Sequence, residues 1–460
     1  MSTATCIVSR RAKIPKRHIS LEKVSADLTL KDPRPAEFAS REPFVCFKDA
    51  RDGYIVPKMY GLAFIRRNNL AFEDRQKDGV SVAGIAFSGS LRGPQVEQVD
   101  KTIRALETVQ GGVMYLYCGF GKTTCSLSVS CYFKKRTIIL VHTTALLEQW
   151  RERIRQFVAN SSVGVLQQDR VDVSGRTHVI ALMQSVSRRT YSREVLDSFG
   201  LMIVDEAHHV CAAQLSRCVA KVGCRVRLGL SATPERKDGM TRFLFDSIGP
   251  ICARVERERE EVLVDVVTVT SGPSDMVYMT RNGKRSPNIA RMINNLCDSA
   301  ADARARFRTG LVIKTVVGAL AEGRHIIVLS DRRSHLRDMG RVLRDEEGME
   351  DVGFMVGGIK PADIAAVSAR RVIMATYAYC SEGLDIPSLD TCVFATPRSD
   401  IVQCCGRILR YHPSKRVPRV IDFVDACPVF QGQARKRAVY YRKLGATVTR
   451  LDEGMEKVEE

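Results

Sequence analysis

A chain of 460 residues is too long for one ordinary hydrophobic core and implies two or three domains. Its 45% hydrophobic content fits a globular protein, and no run of 18 apolar residues offers a membrane span. With 71 basic against 52 acidic residues the formal net charge is +19, which points to a polyanionic partner, nucleic acid first.

The amino terminus, Met1-Ser2-Thr3-Ala4-Thr5, lacks the apolar core of a signal peptide. Arg10, Arg11, Lys13, Lys16 and Arg17 read as a flexible basic arm, and the chain as intracellular and non-secreted. Pro33, Pro35, Pro43 and Pro57 break up residues 1–88, so a small accessory region is expected there, with strands near Phe44–Phe47 and Tyr54–Val56. The 15 cysteines include no Cys-x-x-Cys pair, and Cys118, Cys131 and Cys392 lie in apolar runs. Reduced core thiols are expected, since Cys211, Cys218 and Cys224 are spaced too loosely for a zinc site.

From Leu91 apolar strands alternate with amphipathic helices, the pattern of a parallel α/β sheet. Strands are predicted at Val113–Tyr117, Thr137–Val141, His178–Met183, Leu201–Val204 and Val226–Leu230. Leu146, Leu147, Trp150 and Ile154 recur at helical spacing between the second and third. After the first strand comes Cys118-Gly119-Phe120-Gly121-Lys122-Thr123-Thr124, which opens a helical stretch. Glycines there let backbone N–H groups face an anion, and a helix start adds partial positive charge. Lys122 can reach the β- and γ-phosphates of ATP, and the Thr123 hydroxyl can ligate Mg²⁺. The strict phosphate-loop pattern has a glycine where this chain has Leu116.

Leu201–Val204 is followed by Asp205-Glu206-Ala207-His208. Ligands of parallel sheets bind at the carboxyl ends of strands. Asp205 and Glu206 therefore stand where an ATPase needs a magnesium ligand and a general base. A charged stretch, Arg254–Glu261, then interrupts the pattern. A second strand set follows at His325–Leu329, Gly353–Val356, Arg371–Ala375, Thr391–Ala395 and Val420–Val424. Two similar sheets, with a phosphate loop only in the first, suggest a nucleotide held between domains. The expected division is 1–88 accessory, 89–255 first α/β domain, 256–285 linker, 286–445 second α/β domain and 446–460 acidic tail.

Further signals fall in a fixed order: Leu91-Arg92-Gly93-Pro94-Gln95, Ser231-Ala232-Thr233-Pro234, Ala375-Thr376, Glu382-Gly383-Leu384-Asp385-Ile386-Pro387 and Gln403-Cys404-Cys405-Gly406-Arg407-Ile408-Leu409-Arg410. Over residues 90–430 the chain resembles superfamily 2 helicases with a DEAH-type box. Within them it is similar to the XPB-type branch and, more closely, to helicases of large DNA viruses of the poxvirus transcript-release and iridovirus types. The strings from Cys118 to Thr123, Thr233 to Gly239 and Gly383 to Asp390 carry the narrower match. So does Asp422-Phe423-Val424-Asp425 with Tyr440-Tyr441.

The resemblance implies two tandem RecA-like domains, with ATP and Mg²⁺ as cofactors. It implies that Gln95 reads adenine, that Gly119, Phe120, Gly121, Lys122, Thr123 and Thr124 hold the phosphates with Gly383 and Asp385, and that Asp205 and Thr123 bind the metal. It gives Glu206 the attacking water and makes His208 couple the nucleotide site to Ser231-Ala232-Thr233 and to Gln403. Arg407 and Arg410 would reach the γ-phosphate, and Thr143 and Thr376 the nucleic-acid backbone. Two arginines three residues apart share a helix face, and phosphoryl transfer is catalysed by positioning and charge neutralisation. For Thr143 the alternative role is helix capping.

The partners implied are nucleic acid, DNA ahead of RNA, and transcription or replication machinery, with no membrane. Nothing in the sequence chooses between host cytoplasm, nucleus and virion. His142 stands where the family usually has proline, and the XPB-type Arg-Glu-Asp element and the XPD-type cysteine cluster are missing. Two other readings stay open: a nucleic-acid-binding scaffold with little unwinding activity, and the motor of a nuclease, from the Glu-x-Lys spacing of Glu235-Arg236-Lys237.

Overall fold

The computed structural model describes residues 5–32, 42–211, 216–232, 239–257, 261–281, 284–359, 361–384, 386–410, 412 and 415–458. The chain divides into two compact units, Met1–Glu256 and Arg257–Glu460.

The first unit opens with β1 (Cys6–Val8), β2 (Ala12–Pro15), α1 (Leu21–Leu28), β3 (Lys48–Ala50), β4 (Gly53–Val56), α2 (Lys58–Arg67) and β5 (Phe72–Asp74). These strands make a five-stranded sheet ordered β3-β4-β2-β1-β5. Ser20 starts α1 by accepting from the Lys23 amide at 3.2 Å. The strand expected over Phe44–Phe47 is only Phe44–Val45, paired with Thr29–Leu30.

The remainder of the unit is built on α3 (Gly93–Val109), β6 (Gly111–Leu116), α4 (Lys122–Phe133), β7 (Thr137–Val141), α5 (Thr144–Phe157), β8 (Val163–Gln167), β9 (Arg170–Val171), β10 (His178–Leu182), β11 (Leu201–Val204), β12 (Val226–Ser231) and β13 (Ile251–Val255). Eight strands form one sheet ordered β9-β8-β10-β7-β11-β12-β6-β13. All pairs are parallel except β8–β9.

Alternate side chains of these strands feed two cores, as expected where both sheet faces are covered. Met114, Ile139, Ile180 and Ile203 face Trp150, Leu147 and Leu127 of the helices on one side. Val113, Ile138, Val179 and Met202 face the other side, where Val8, Ile14 and Leu62 of the amino-terminal region complete the core. That region is therefore part of the first unit's hydrophobic interior. Buried cations pin it further. Lys58 Nζ donates to the Cys224 carbonyl at 3.1 Å, and Arg227 donates to the Ser247 and Arg10 carbonyls, each at 2.7 Å. Burial, with Arg227 nearby, pushes the Lys58 ammonium well below its usual value.

The second unit contains β14 (Leu263–Val269), α6 (Ile289–Cys297), α7 (Ala303–Ala321), β15 (Ile326–Ser330), α8 (Arg333–Asp345), β16 (Val352–Met355), α9 (Pro361–Ser368), β17 (Val372–Thr376), α10 (Tyr377–Gly383), β18 (Thr391–Phe394), α11 (Val402–Ile408), β19 (Arg419–Asp425), α12 (Pro428–Leu444) and β20 (Thr447–Leu451). Seven of its strands form one all-parallel sheet, ordered β16-β17-β15-β18-β19-β14-β20.

Two expectations change here. The stretch 256–285, read as a linker, contributes β14, an interior strand of this sheet. Its Asp265 is paired with Arg419 of β19. The stretch 446–460, read as an acidic tail, contributes the edge strand β20. Among the described residues no helix is long and apolar enough to cross a membrane, and no disulfide is formed.

Candidate ATP-binding site

Because β6, β7, β11 and β12 are parallel neighbours, their carboxyl ends lie along one sheet edge. That edge gathers the loop 118–121 after β6, His142 and Thr143 after β7, Asp205 and Glu206 after β11, and Ser231 at the end of β12.

Gly119 and Gly121 adopt φ of +93° and +103°, which side chains strain against. A Cβ on Gly121 would also sit 2.4 Å from Gln95 Nε2. Gln95 is itself buried. Its Oε1 accepts from the Arg92 amide at 2.8 Å and its Nε2 donates to the Phe120 carbonyl at 2.6 Å. Arg92 donates to the same carbonyl at 2.7 Å. Phe120 is buried edge-on to Tyr117, with ring centroids 5.4 Å apart. Gln95 and Phe120 thus hold the loop's shape. Gly121 starts α4, so Lys122, Thr123 and Thr124 occupy its first turn. Lys122 Nζ lies 3.4 Å from the Leu116 carbonyl.

Asp205 is buried, and both its oxygens are occupied. Trp150 Nε1 donates to Oδ2 at 2.8 Å and the Glu206 amide donates to Oδ1 at 2.9 Å. Burial, reinforced by the neighbouring Glu206 charge, raises the Asp205 carboxyl above its usual value. Glu206 takes φ of +43°, a costly conformation for a residue with a side chain. Its Oε2 is buried without a hydrogen bond, 3.5 Å from His208 Nδ1. His208 Nδ1 in turn lies 3.3 Å from Ser231 Oγ. An acidic pair with a buried, unbonded oxygen, beside a lysine and a helix start, suits a phosphate-bound divalent cation. Mg²⁺ is held in that way, by one or two carboxylates plus phosphate oxygens. Asp205 and Thr123 are the residues that would hold it.

Three features were missed from sequence. Trp150 was read only as a core residue of α5. His142 stacks on His209 at 3.9 Å, and His209 on His208 at 4.4 Å, so three imidazoles line the acidic loop. The positive φ of Glu206 has no sequence signal at all.

Thr143 is the N-cap of α5, its hydroxyl accepting from the Leu146 amide at 3.3 Å. In the second unit Thr376 caps α10 in the same way, accepting from the Tyr379 amide at 3.3 Å. Gly383 ends α10, and Gln403 and Arg407 lie on α11 with Arg410 just beyond it. The Arg407 guanidinium donates to the Cys380 carbonyl at 2.9 Å and to the Ser381 carbonyl. Asp385 and Thr233–Asp238, with the Glu-x-Lys spacing, lie outside the described residues. Asp422 and Asp425, which carried part of the resemblance, are core ion-pair partners. Arg437 donates to Asp422 at 2.8 Å and Arg308 to Asp425 at 2.9 Å, all four side chains being buried.

Residues 88–236 match the family model described as the res subunit of type III restriction enzymes. This stretch is a ResIII helicase domain. Over 433 residues the chain is 29% identical to a protein of Acanthamoeba polyphaga mimivirus named "Putative ATP-dependent RNA helicase", covering 92% of this chain and 82% of the relative. Over 380 residues it is 24% identical to a protein of Invertebrate iridescent virus 6 named "Putative helicase", covering 79% and 83%. In fold it is similar to S. cerevisiae Dbp5 in a structure with RNA and ADP BeF3, with a TM-score of 0.52 and 13% identity over 79% of this chain and 94% of that one.

Proposed function

We propose that this protein is an ATP-dependent nucleic-acid helicase or translocase, of the kind encoded by large DNA viruses. The observation that carries the reading is the single sheet edge at which the loop 118–121, Lys122, Asp205, Glu206 and Ser231 converge. Lys122 and the first turn of α4 would bind the β- and γ-phosphates, and Thr123 and Asp205 the Mg²⁺. When bound, the metal would neutralise phosphate charge. Glu206, held in a strained conformation beside His208, would take the proton of the attacking water. Arg407 and Arg410 are assigned to the charge that develops on the transferring phosphoryl group, so Arg410→Ala should retain ATP binding and lose stimulated turnover.

The polyanionic partner follows from the +19 charge, and hydroxyls and backbone amides at strand ends suit phosphate contacts that carry no sequence information. Thr143 and Thr376 are proposed for such contacts in addition to their capping bonds. DNA is proposed ahead of RNA, with a role in viral transcription or replication. ATP turnover should be measured with single- and double-stranded DNA and RNA, beside strand displacement on 3′- and 5′-tailed duplexes. Turnover that rises with nucleic acid, and binding that weakens steeply as salt rises, are expected. Turnover indifferent to all four nucleic acids would favour the scaffold reading instead.

A further inference from the structure

One element of the second unit lies outside its seven-stranded sheet. Tyr278–Arg281 and Lys284–Pro287 form an antiparallel ribbon, with Tyr278 opposite Pro287 and Thr280 opposite Arg285. It pairs with no other strand among the described residues. Its base is anchored. Met276 and Val277 pack on the cluster around Leu296 and Phe430, the Asn288 amide donates to the Val277 carbonyl at 2.7 Å, and Asp275 pairs with Arg304 at 2.9 Å.

Above that base, Tyr278, Met279, Thr280, Arg285, Ser286 and Pro287 are all exposed. Tyr278 is 44% exposed and Met279 40%. A lone two-stranded ribbon is marginal by itself, and an aromatic ring left in solvent adds nothing to a core. The Arg285 guanidinium lies 4.1 Å from the centre of the Tyr278 ring. From Met276 to Cys297 the chain has four cations, Arg281, Lys284, Arg285 and Arg291, and no acidic residue.

A docked protein would want a continuous apolar patch. Tyr278 and Met279 are successive strand residues and so point to opposite faces, which leaves no such patch. An exposed ring with a stacked guanidinium, in a segment whose sequence from Met276 to Cys297 carries basic and no acidic residues, suits a nucleic-acid strand. Bases stack on aromatic faces whatever their identity, and cations meet the flanking phosphates.

We propose that this ribbon is a nucleic-acid contact site, in which the Tyr278–Arg285 pair takes an unstacked base of a single strand and the neighbouring cations hold its phosphates. The proposal rests on the nucleic-acid reading above and adds a place to it.

The test uses the full chain and fluorescein-labelled dT20 and U20, with affinity read by anisotropy. Tyr278→Ala should weaken binding by about 5- to 150-fold, the range of one lost base stack, while Tyr278→Trp keeps it. Arg285→Ala should weaken binding and flatten its salt dependence. Basal ATP turnover should stay unchanged in all three, since the ribbon lies outside the residues assigned to ATP. A loss with both oligonucleotides, or with one of them, supports the site and identifies the strand it takes. Wild-type binding that none of the variants alters would overturn this site alone. A wild type that binds neither oligonucleotide would overturn the nucleic-acid reading together with it.

Discussion

Glu206 combines a left-handed backbone, φ +43°, with a buried carboxylate oxygen that makes no hydrogen bond. Both features cost stability, of the order of 1–3 kcal/mol for the backbone alone. Their position, immediately after Asp205, matches a residue kept for chemistry rather than packing. Glu206→Gln keeps the shape but removes the proton acceptor, so hydrolysis should fall by about 10²-fold or more while ATP still binds. Turnover near wild type in that variant would remove Glu206 from the role of base. Lys122→Ala should abolish turnover with the circular-dichroism spectrum preserved, because the hydrogen bond of Lys122 Nζ to the Leu116 carbonyl is long, 3.4 Å, and the side chain is no part of the apolar core. A folded Lys122→Ala protein with full turnover would end the phosphate-loop assignment.

At the scale of elements, the strands whose limits were read without error are those in which almost every residue is apolar. Thr137–Val141 and Leu201–Val204 match their predicted limits because both faces are buried and every position shows it. β8, Val163–Gln167, escaped because Gly164 interrupts its apolar run. β14 escaped because Asp265 breaks its apolar run beside a charged stretch, and only the structure reveals Arg419 as its partner. β20 alternates weakly, as an edge strand can. In the site the same division holds. Glycines, lysine and acidic pairs are spaced by local geometry and can be read. The Trp150–Asp205 bond joins residues 55 apart, and the histidine stack joins two loops, so neither leaves a local pattern. Helix caps belong to this scale too. Thr143→Ala removes the bond to the Leu146 amide and should cost about 1 kcal/mol in urea unfolding, whatever it does to nucleic-acid affinity. Unchanged stability would show that the hydroxyl is not needed by α5.

Across the whole molecule the two units share a device. Each buries one histidine between two hydroxyls. His178 lies 3.1 Å from Ser130 and 3.0 Å from Thr177 in the first unit. His335 lies 3.2 Å from both Thr309 and Ser330 in the second. Burial lowers the His178 imidazole to about 4, and burial with Arg308 lowers His335 to about 3, against 6.5 for a free ring. The folded state therefore holds these rings neutral while the unfolded chain binds the protons. Their contribution is complete above about pH 6.5 and is lost as pH falls through the interval down to those lowered values, at about 1.4 kcal/mol per pH unit for each. Urea unfolding between pH 7 and 4.5 should show this loss, and His178→Gln should reduce the slope. An equal slope in that variant would mean that other groups drive the acid response.

The bond from α5 to the acidic loop has an optical consequence. The chain contains a single tryptophan, and its indole N–H is the donor to Asp205. All tryptophan emission therefore originates beside the carboxylate assigned to the metal, with no background from elsewhere in either unit. Adding Mg²⁺ and ADP should shift or quench that emission in step with occupancy, and Trp150→Phe should abolish the signal. If emission stayed flat while nucleotide binding was visible by calorimetry, the indole would not sense the metal site. Otherwise the unlabelled protein reports its own nucleotide state in real time, so that binding, hydrolysis and product release become separable in a stopped-flow trace.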